Sequence, residues 1–261
     1  MHEQAARALG VRYHYHLIEV EGAGREELRA LLDSVRRLRF AGVNVTFPYK
    51  EAVVDLLDEL SQGAAAIGAV NTVVVSDHRL VGHNTDTSGF ARAASDLVEG
   101  AGQGAVALIG AGGVGRAIAF ALANLGVAEI RIFDADRTKA EKLARLLRPD
   151  TEAVAVNEIE DAVRGAVGLV NATPVGMFPS QSSPVPDEFL HDGLWVADAV
   201  YFPLLTPLLR AAKARGARIM TGRELAIYQA ADAFELFTGL SPSTIEMGKA
   251  FDRTIGKMHT T

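Results

Sequence analysis

The run from Ala105 to Val127, AVALIGAGGVGRAIAFALANLGV, limits the possible folds of this chain more than any other stretch. Its length and apolarity are close to those of a membrane-spanning helix, but glycines cluster near its middle. A buried strand that turns sharply into a buried helix explains this pattern better than one continuous helix. We therefore expect a soluble protein with a strand at 105–109 and a helix at 113–124.

Strand-like and helix-like patterns alternate along the chain from this run up to about residue 220. Further predicted strands lie at 129–133, 152–156, 168–172, 194–200 and 217–220, and helices at 137–147, 158–164 and between the last two strands. Repeated strand and helix units are typical of a doubly wound parallel sheet with helices on both faces. The expected fold class is α/β.

The first hundred residues differ from this regular alternation and predict a separate α/β lobe. The patterns indicate helices at 1–9, 25–38 and 51–60, strands at 13–19 and 43–47, and a hairpin across 76–79. The glycine-rich segment 99–105 suits a linker, and a last helix at 243–257 would pack back on the first lobe. We expect two domains, the first formed by 1–100 with about 240–261, the second by 101–239.

The composition excludes several classes of site before any motif is considered. None of the 261 residues is cysteine, which rules out disulfides, thiolate metal sites and a cysteine nucleophile. The formal net charge of −6 gives no general attraction to nucleic acid or anionic lipid. Residues 1–10 contain no apolar block of the kind found in signal peptides. We expect a cytoplasmic protein without nucleic-acid or membrane partners.

Histidine and tryptophan give no sign of a metal or cofactor site. His14 and His16 share a predicted strand face but have no carboxylates nearby, which favours a solvated face over a metal site. Trp195 begins a predicted core strand and is interpreted as a packing residue. We therefore predict no metal.

A glycine-rich motif follows the predicted strand 105–109 directly and opens the next helix. Its six residues, in the pattern G-x-G-x-x-G, are Gly110, Ala111, Gly112, Gly113, Val114 and Gly115. The first glycine allows the tight turn, the second lets backbone approach a pyrophosphate at the helix N-terminus, and the third lets helix and strand pack closely. The motif in this context predicts a Rossmann-type dinucleotide-binding domain.

The residue that would contact the adenosine ribose is Asp134, at the end of the second predicted strand. A carboxylate there accepts hydrogen bonds from ribose hydroxyls and repels a 2′-phosphate, which favours NAD over NADP. Arg137 and Lys139 follow closely, and either they partly neutralise a phosphate or they are solvated residues of the first helical turn. The predicted cofactor is NAD, with NADP as the alternative.

Two charged residues of the first lobe are candidates for chemistry. In GVNVTFPYK, Asn44 and Thr46 share one face of a predicted strand, and Lys50 lies just beyond it. In GHNTD, Asp86 immediately precedes a predicted helix. Their ordinary interpretations are a solvated lysine in a first helical turn and an N-cap aspartate.

Seven segments of the chain together favour a more specific interpretation. In order and spacing they resemble the shikimate and quinate dehydrogenases; they are NVTFPYK (44–50), GAVNTVV (68–74), GHNTD (82–86), GAGGVGRA (110–117), NATPVGM (171–177), DAVYFPLLTPLL (198–209) and YQAADAFELFTG (228–239). The resemblance spans residues 44–239. It implies a two-lobed α/β fold, with a substrate-binding and catalytic lobe before the dinucleotide-binding domain.

The resemblance also implies roles for individual side chains. Lys50 and Asp86 would form the proton-transfer pair. The hydroxylated cyclic carboxylic acid would be held by Thr46, Asn71, Tyr201 and Gln229, with Asn44 on the same strand face as Thr46. The nicotinamide end of the cofactor would lie near Asn171, Thr173, Val200 and Gly222. Taken singly, Asn71, Tyr201 and Gln229 would be interpreted as ordinary turn or core residues.

The implied activity interconverts a ring hydroxyl and a ketone on shikimate or quinate by hydride transfer with NAD. An NADP-dependent shikimate dehydrogenase of aromatic amino-acid biosynthesis is the alternative within the same class. The choice between shikimate and quinate, and between monomer and homodimer, stays open.

In the resembling family, a segment of the form S-x-S-P, with serines that bind the substrate carboxylate, precedes a helix that often begins with Met-His. This sequence begins with Met1 and His2, as if inside that motif. Loss of two hydrogen bonds would weaken substrate binding roughly five- to 150-fold. We expect a misassigned start; the competing interpretation is a truncated, non-catalytic nucleotide-binding protein.

Overall fold

The computed structural model describes residues 1–100, 104–147 and 151–258. The chain divides into two compact units, Met1–Asp86 with Ile227–Thr261, and Thr87–Ala226. These divisions fall inside two helices, whereas the sequence placed the boundaries in the loops that follow those helices. The glycine-rich linker expected at 99–105 lies partly outside the described residues.

The helices and strands are numbered in the order in which they occur along the chain. The strands are β1 Gly42–Asn44, β2 Glu59–Leu60, β3 Thr72–Ser76, β4 Arg79–His83, β5 Ala105–Ile109, β6 Glu129–Phe133, β7 Glu152–Ala155, β8 Gly168–Asn171, β9 Trp195–Asp198 and β10 Arg218–Met220. The helices are α1 His2–Ala8, α2 Arg25–Arg37, α3 Gln62–Ile67, α4 Thr85–Glu99, α5 Gly113–Asn124, α6 Arg137–Leu146, α7 Ile159–Val163, α8 Pro207–Ala214, α9 Gly222–Thr238 and α10 Thr244–Met258.

The second unit contains the predicted doubly wound parallel sheet, which is confirmed. Its strand order is β10-β9-β8-β5-β6-β7, and every neighbouring pair is parallel. All five residues of β5 are buried, as expected for a central strand covered by helices on both faces. Trp195 is buried at the start of β9, in agreement with its interpretation as a packing residue. From β5 the chain adds β6 and β7 on one side of the sheet, and it then adds β8, β9 and β10 on the other side. In open sheets of this kind, ligands bind at the point between β5 and β8 where the strand order reverses.

The first unit is built on a smaller mixed sheet with the order β1-β3-β4-β2. The predicted hairpin is the antiparallel pair β3 and β4, whereas β2 runs parallel to β4. Apolar residues of α2 pack with those of the hairpin to form the core, including Leu28, Leu32, Val73 and Leu80.

The strand predicted at 13–19 is wrong, because residues 11–20 have no regular secondary structure. Its alternation has another cause. The Tyr13 ring centroid lies 5.4 Å from that of Phe234, and the Tyr15 ring stacks on His2 at 4.4 Å. Alternate aromatic side chains here make ring contacts without a neighbouring strand, Tyr13 half-buried and Tyr15 still exposed.

The helix predicted at 51–60 is also wrong. Residues 49–53 form turns, a short 3-10 helix covers Val54–Leu56, and β2 begins at Glu59. The apolar side chains still pack into the core, but the backbone N–H of Asp58 donates to the carbonyl of Leu80 at 3.0 Å. The Asp58 carboxylate accepts from the Leu80 N–H at 2.7 Å. Pairing with β4 thus replaces the helical hydrogen bonds.

Within the described residues, none of the helices has both the length and the apolarity needed to cross a membrane.

Candidate functional site

Lys50 and Asp86 form a short ion pair in the first unit. Lys50 Nζ lies 2.6 Å from Asp86 Oδ2, and the two side chains are 13% and 7% exposed. Asp86 lies in the first turn of α4, and its backbone N–H donates to the Asn84 side chain at 3.1 Å. Asn84 therefore caps the helix, so the ordinary interpretation of Asp86 as the N-cap is wrong. The carboxylate of Asp86 is directed to Lys50 instead.

The backbone around Lys50 is anchored to neighbouring segments on both sides. Its carbonyl accepts a hydrogen bond of 2.8 Å from the Val70 N–H. The preceding residue, Tyr49, accepts from the Ala23 N–H at 3.0 Å through its hydroxyl and donates to the carbonyl of Val20 at 3.2 Å. These bonds fix the turn that carries Lys50, although no helix begins there.

Asn71 lies beside this pair and is buried among hydrogen-bonding groups. Its Oδ1 accepts from the Thr85 N–H at 2.8 Å and from the Thr72 hydroxyl at 3.0 Å, and its Nδ2 donates to Thr85 Oγ1 at 3.0 Å. Thr85 immediately precedes Asp86, so Asn71 holds the backbone from which the Asp86 carboxylate projects. Of the two Nδ2 hydrogens, one has a hydrogen-bond acceptor within the described part of the chain.

Asn44, expected on a substrate-facing strand, is engaged within the protein. Its Oδ1 accepts from the Tyr15 hydroxyl at 2.9 Å, and its Nδ2 donates to Thr72 Oγ1 at 2.9 Å and to the carbonyl of Asn71 at 3.3 Å. Both amide hydrogens are therefore used. A run of hydrogen bonds leads from Tyr15 through Asn44 and Thr72 to Asn71.

The other predicted substrate contacts differ in their exposure. Thr46 lies beyond the end of β1, is exposed, and has no hydrogen bond from its hydroxyl to the rest of the described chain. Phe47, expected on the opposite, inward face, is 80% exposed because the strand has already ended. Gln229 is half-buried on α9 of the same unit, and Tyr201, 51% exposed, belongs to the second unit.

In the second unit, the glycine motif forms the turn between β5 and α5. Gly110 has φ +104°, and a Cβ there would lie 2.9 Å from Thr173 Cγ2. A Cβ on Gly115 would overlap the carbonyl of Gly110, whereas a Cβ on Gly112 would meet no protein atom within 4 Å. The first amides of α5 have no side-chain cap. Open space and uncapped N–H groups at a helix N-terminus fit a dinucleotide pyrophosphate.

Asp134 follows β6, and one of its carboxylate oxygens contacts this turn. Oδ2 accepts from the Ala111 N–H at 2.7 Å, and Oδ1 accepts from the Asp136 N–H at 2.8 Å. Each oxygen keeps a second lone pair for a further donor. Arg137 pairs with Glu141 at 2.7 Å, and Lys139 is exposed.

Asn171 ends β8 and Thr173 follows it, next to the glycine turn. Asn171 Oδ1 accepts from the Thr173 hydroxyl at 2.7 Å and from its N–H at 3.0 Å. The Asn171 Nδ2 donates to Asp198 Oδ1 at 2.9 Å. Val200 is buried after β9, and a Cβ on Gly222 would overlap its carbonyl oxygen. These four predicted cofactor residues therefore share one end of the sheet.

Three residues in these networks are absent from the sequence-based predictions. Thr85 is fixed by Asn71, while Asp198 and Thr206 form a buried pair joined at 2.7 Å. Burial raises the pKa of the Asp198 carboxyl to about 6. The available signal was an aspartate inside the apolar run LWVADAV, followed eight residues later by a threonine that precedes a proline.

Within the described residues, no group of three or more histidine, aspartate, glutamate or cysteine side chains is arranged to hold a metal ion. His14 and His16 are exposed, and the strand face expected to unite them is not formed.

Comparisons with known proteins identify relatives of this chain. Residues 1–73 match the model of the shikimate dehydrogenase substrate binding domain, and residues 86–170 match that of the ThiF family. The shikimate dehydrogenase (NADP(+)) of Streptomyces avermitilis is 43% identical over 95% of this chain and 87% of its own length. The quinate/shikimate dehydrogenase (NAD(+)) of Corynebacterium efficiens is 41% identical over 96% of this chain and 91% of its own length.

A solved structure extends the similarity from sequence to fold. The quinate dehydrogenase from Corynebacterium glutamicum in complex with NAD superposes with a TM-score of 0.88 at 42% identity, over 96% of this chain and 92% of that one. Identity and coverage at this level establish kinship over nearly the whole chain. The chain therefore belongs to the family of the NAD(P)-dependent shikimate and quinate dehydrogenases.

Proposed function

We propose that this protein interconverts a ring hydroxyl and a ketone on shikimate or quinate, using NAD as the hydride acceptor or donor. The observation that carries the proposal is the buried pair of Lys50 and Asp86 at 2.6 Å. We propose that the first unit, which holds this pair, binds the substrate, and that the second unit, which holds the glycine turn, binds the dinucleotide.

The pair performs the proton transfer that accompanies hydride transfer. When bound, the nicotinamide takes up a hydride during oxidation or releases one during reduction. In reduction, the Lys50 ammonium donates a proton to the alkoxide oxygen as that oxygen gains charge. In oxidation, the neutral amine accepts the hydroxyl proton as the carbon loses its hydride. Asp86 holds Nζ in place by accepting its hydrogen bond at 2.6 Å.

Neutral donors suit the recognition of a ring that carries several hydroxyls. The exposed Thr46 hydroxyl and the second Nδ2 hydrogen of Asn71, both in the first unit, are suited to contact the substrate. For Gln229 and Tyr201, the assignment to substrate binding rests on the family resemblance. Asn44 has no amide hydrogen left, so we assign it a supporting role that fixes Asn71. A site built from such groups rejects analogues that lack the matching hydroxyls, because its own polar groups would then stay unpaired.

The dinucleotide is held by backbone more than by side chains. The open space at Gly112 and the uncapped N–H groups of Gly113, Val114 and Gly115 would bind the pyrophosphate. Asn171, Thr173, Val200 and Gly222 would lie at the nicotinamide end. The carboxylate of Asp134 would accept hydrogen bonds from the adenosine ribose. The same carboxylate also accepts the Ala111 N–H.

We favour NAD over NADP because Asp134 places a negative charge where a 2′-phosphate would lie. Of the two cations that follow Asp134 closely, Arg137 is paired with Glu141 at 2.7 Å and Lys139 is exposed. Like-charge contact costs several kcal/mol, which corresponds to a preference on the order of a thousandfold. Relatives with either cofactor are known, so this choice requires its own measurement.

The direct experiment mixes the purified chain with quinate or shikimate and with NAD or NADP, and follows the absorbance of the reduced nicotinamide. We expect turnover with at least one of the two acids and a higher kcat/KM with NAD. Binding of NAD without turnover of either acid would contradict the proposed activity. A strong preference for NADP would contradict only the role given to Asp134, and the proposed activity would stand.

A further inference from the structure

Asp198 is a buried carboxylate without a basic partner in the described part of the chain. It is 0% exposed at the end of β9, where it faces Asn171, the last residue of β8, in the register of the two strands. Its donors are neutral: Asn171 Nδ2 at 2.9 Å and the Val200 N–H at 2.9 Å to Oδ1, and the Thr206 hydroxyl at 2.7 Å to Oδ2. A buried charge without a cation is costly, so stability alone does not explain this residue.

A carboxylate only accepts hydrogen bonds, and this property helps to decide how the neighbouring amide lies. Asn171 turns its Nδ2 to Asp198 at 2.9 Å and to the carbonyl of Val175 at 3.1 Å, which leaves Oδ1 to face Thr173. Thr173 then donates its hydroxyl to Asn171 and accepts from the Val175 N–H at 3.1 Å. An asparagine at 198 could present either oxygen or nitrogen to Asn171. With its nitrogen towards Asn171, two N–H donors would face each other, and only the Val175 carbonyl and the Thr173 N–H would still orient the amide.

The same carboxylate fixes the backbone on both sides of the sheet end. Thr173 Cγ2 would lie 2.9 Å from a Cβ on Gly110, so the threonine lies against the glycine turn. Asp198 also holds the Val200 N–H, and the carbonyl of Val200 packs against Gly222 at the start of α9. The segments after β5, β8 and β9 are thereby linked through one buried group.

We propose that Asp198 is a positioning residue that orients the Asn171 amide and the adjoining loops for the nicotinamide end of the dinucleotide. This inference rests on the proposed function, because it requires that the carboxyl end of this sheet binds the cofactor. Asp198 acts through Asn171, Thr173 and Val200. The raised pKa of its carboxyl, about 6, is consistent with a group kept for orientation at a cost in stability.

The test compares two ligands on an Asp198→Asn variant. NADH carries the nicotinamide and ADP-ribose lacks it. A local effect at the nicotinamide end therefore weakens the binding of NADH and leaves the binding of ADP-ribose unchanged. We expect the dissociation constant for NADH, measured by calorimetry, to rise about tenfold and that for ADP-ribose to change by less than about twofold. Equal weakening of both ligands, or no change in either, would overturn the proposal.

Thr206→Val is the matched control. It removes the hydrogen bond to Oδ2 and the N-cap bond to the Leu209 N–H, but leaves the bond from Asn171 to Oδ1. We expect it to lose thermal stability and yet to bind NADH within about twofold of wild type. If it weakens NADH as much as Asp198→Asn does, the effect belongs to folding and the proposal fails.

A measurement on the wild-type chain covers the case in which Asp198→Asn does not fold. The two Nδ2 protons of Asn171 should give separate NMR signals that exchange slowly and that shift on addition of NADH but not of ADP-ribose. Rapidly exchanging signals, or equal shifts with both ligands, would overturn the proposal. If wild type binds neither ligand, the proposed function itself fails, which is a distinct outcome.

Discussion

Lys50 Nζ and Asp86 Oδ2 lie 2.6 Å apart, although the two residues are 36 positions apart in the sequence. Both side chains are largely withdrawn from solvent, in contrast to the exposed pair of Lys249 and Glu246 on α10. A buried pair is costly to break and gives little net stability over apolar residues of similar volume. Its presence is therefore better explained by chemistry than by folding.

The first prediction concerns the stability of this pair. Asp86→Ala should lower the free energy of unfolding by about 3 kcal/mol, because it leaves the Lys50 ammonium buried without its partner. The double variant Lys50→Met with Asp86→Leu should lose less than Asp86→Ala, since no charge remains. Urea unfolding measures both. Glu246→Ala, at the exposed pair, should change stability by less than about 1 kcal/mol. A double variant as unstable as Asp86→Ala would contradict this reasoning.

The second prediction separates two glycines of the same turn. Gly112→Ala adds a methyl group where no protein atom lies within 4 Å, so the variant should keep the wild-type melting temperature but bind NADH at least about tenfold more weakly. Gly115→Ala would overlap the carbonyl of Gly110 and should melt at a lower temperature. Thermal melting and calorimetry together check this. Unchanged NADH binding by Gly112→Ala would count against a pyrophosphate at this turn.

The third prediction concerns cofactor choice. Asp134→Ser removes the charge that would repel a 2′-phosphate, so the ratio of kcat/KM with NADP to that with NAD should rise by about tenfold or more. Some loss of stability should accompany it, because the Ala111 and Asp136 N–H groups lose their acceptor. Asp161→Ser, an exposed change in the first turn of α7, should leave the ratio unaltered. A constant ratio in Asp134→Ser would remove the basis for expecting NAD.

The fourth prediction concerns pH, to which two buried groups respond in opposite directions. Burial lowers the pKa of His2 from 6.5 to about 4, so the folded state binds fewer protons and stability is lost as the pH falls from 6.5 through 4. Burial raises the pKa of Asp198 from 3.8 to about 6, so stability is gained as the pH falls from 6 towards 3.8. Each contribution is on the order of 3 kcal/mol.

Two variants separate these contributions. Relative to wild type, His2→Phe should gain stability as the pH is lowered from 7 to 4, and Asp198→Asn should lose it over the same range. Urea unfolding at several pH values measures both differences. A difference that stays constant with pH would show that the histidine or the aspartate titrates alike in the folded and unfolded chains.

Sequence patterns predicted the parallel sheet well because its signals are local. The continuous apolar strand at 105–109 and the glycines after it specify a buried strand, a turn and a helix without help from distant residues. The helices and strands of the first unit were harder to predict. Segments 13–19 and 51–60 have the apolar spacing of a strand and a helix, but aromatic packing on His2 and pairing of Asp58 with Leu80 decide their conformation, and both partners are remote in sequence.

The candidate site shows the same limit. Lys50 and Asp86 were predicted as partners through family resemblance, since no spacing rule brings positions so far apart together. Asn44 was expected to face substrate, but its amide is consumed by Tyr15 and Thr72, contacts that a strand pattern does not reveal. Asp198 escaped prediction because an aspartate in an apolar run says nothing of which donors surround it.

The most direct test of the central claim is the turnover of Lys50→Ala with quinate or shikimate under saturating dinucleotide. We expect kcat to fall by about a thousandfold, because proton transfer in the reacting complex is lost, while NADH still binds. Lys249→Ala, which removes a solvated lysine, should retain wild-type turnover. A Lys50→Ala variant that binds NADH and turns over at nearly the wild-type rate would contradict the claim that Lys50 transfers the proton.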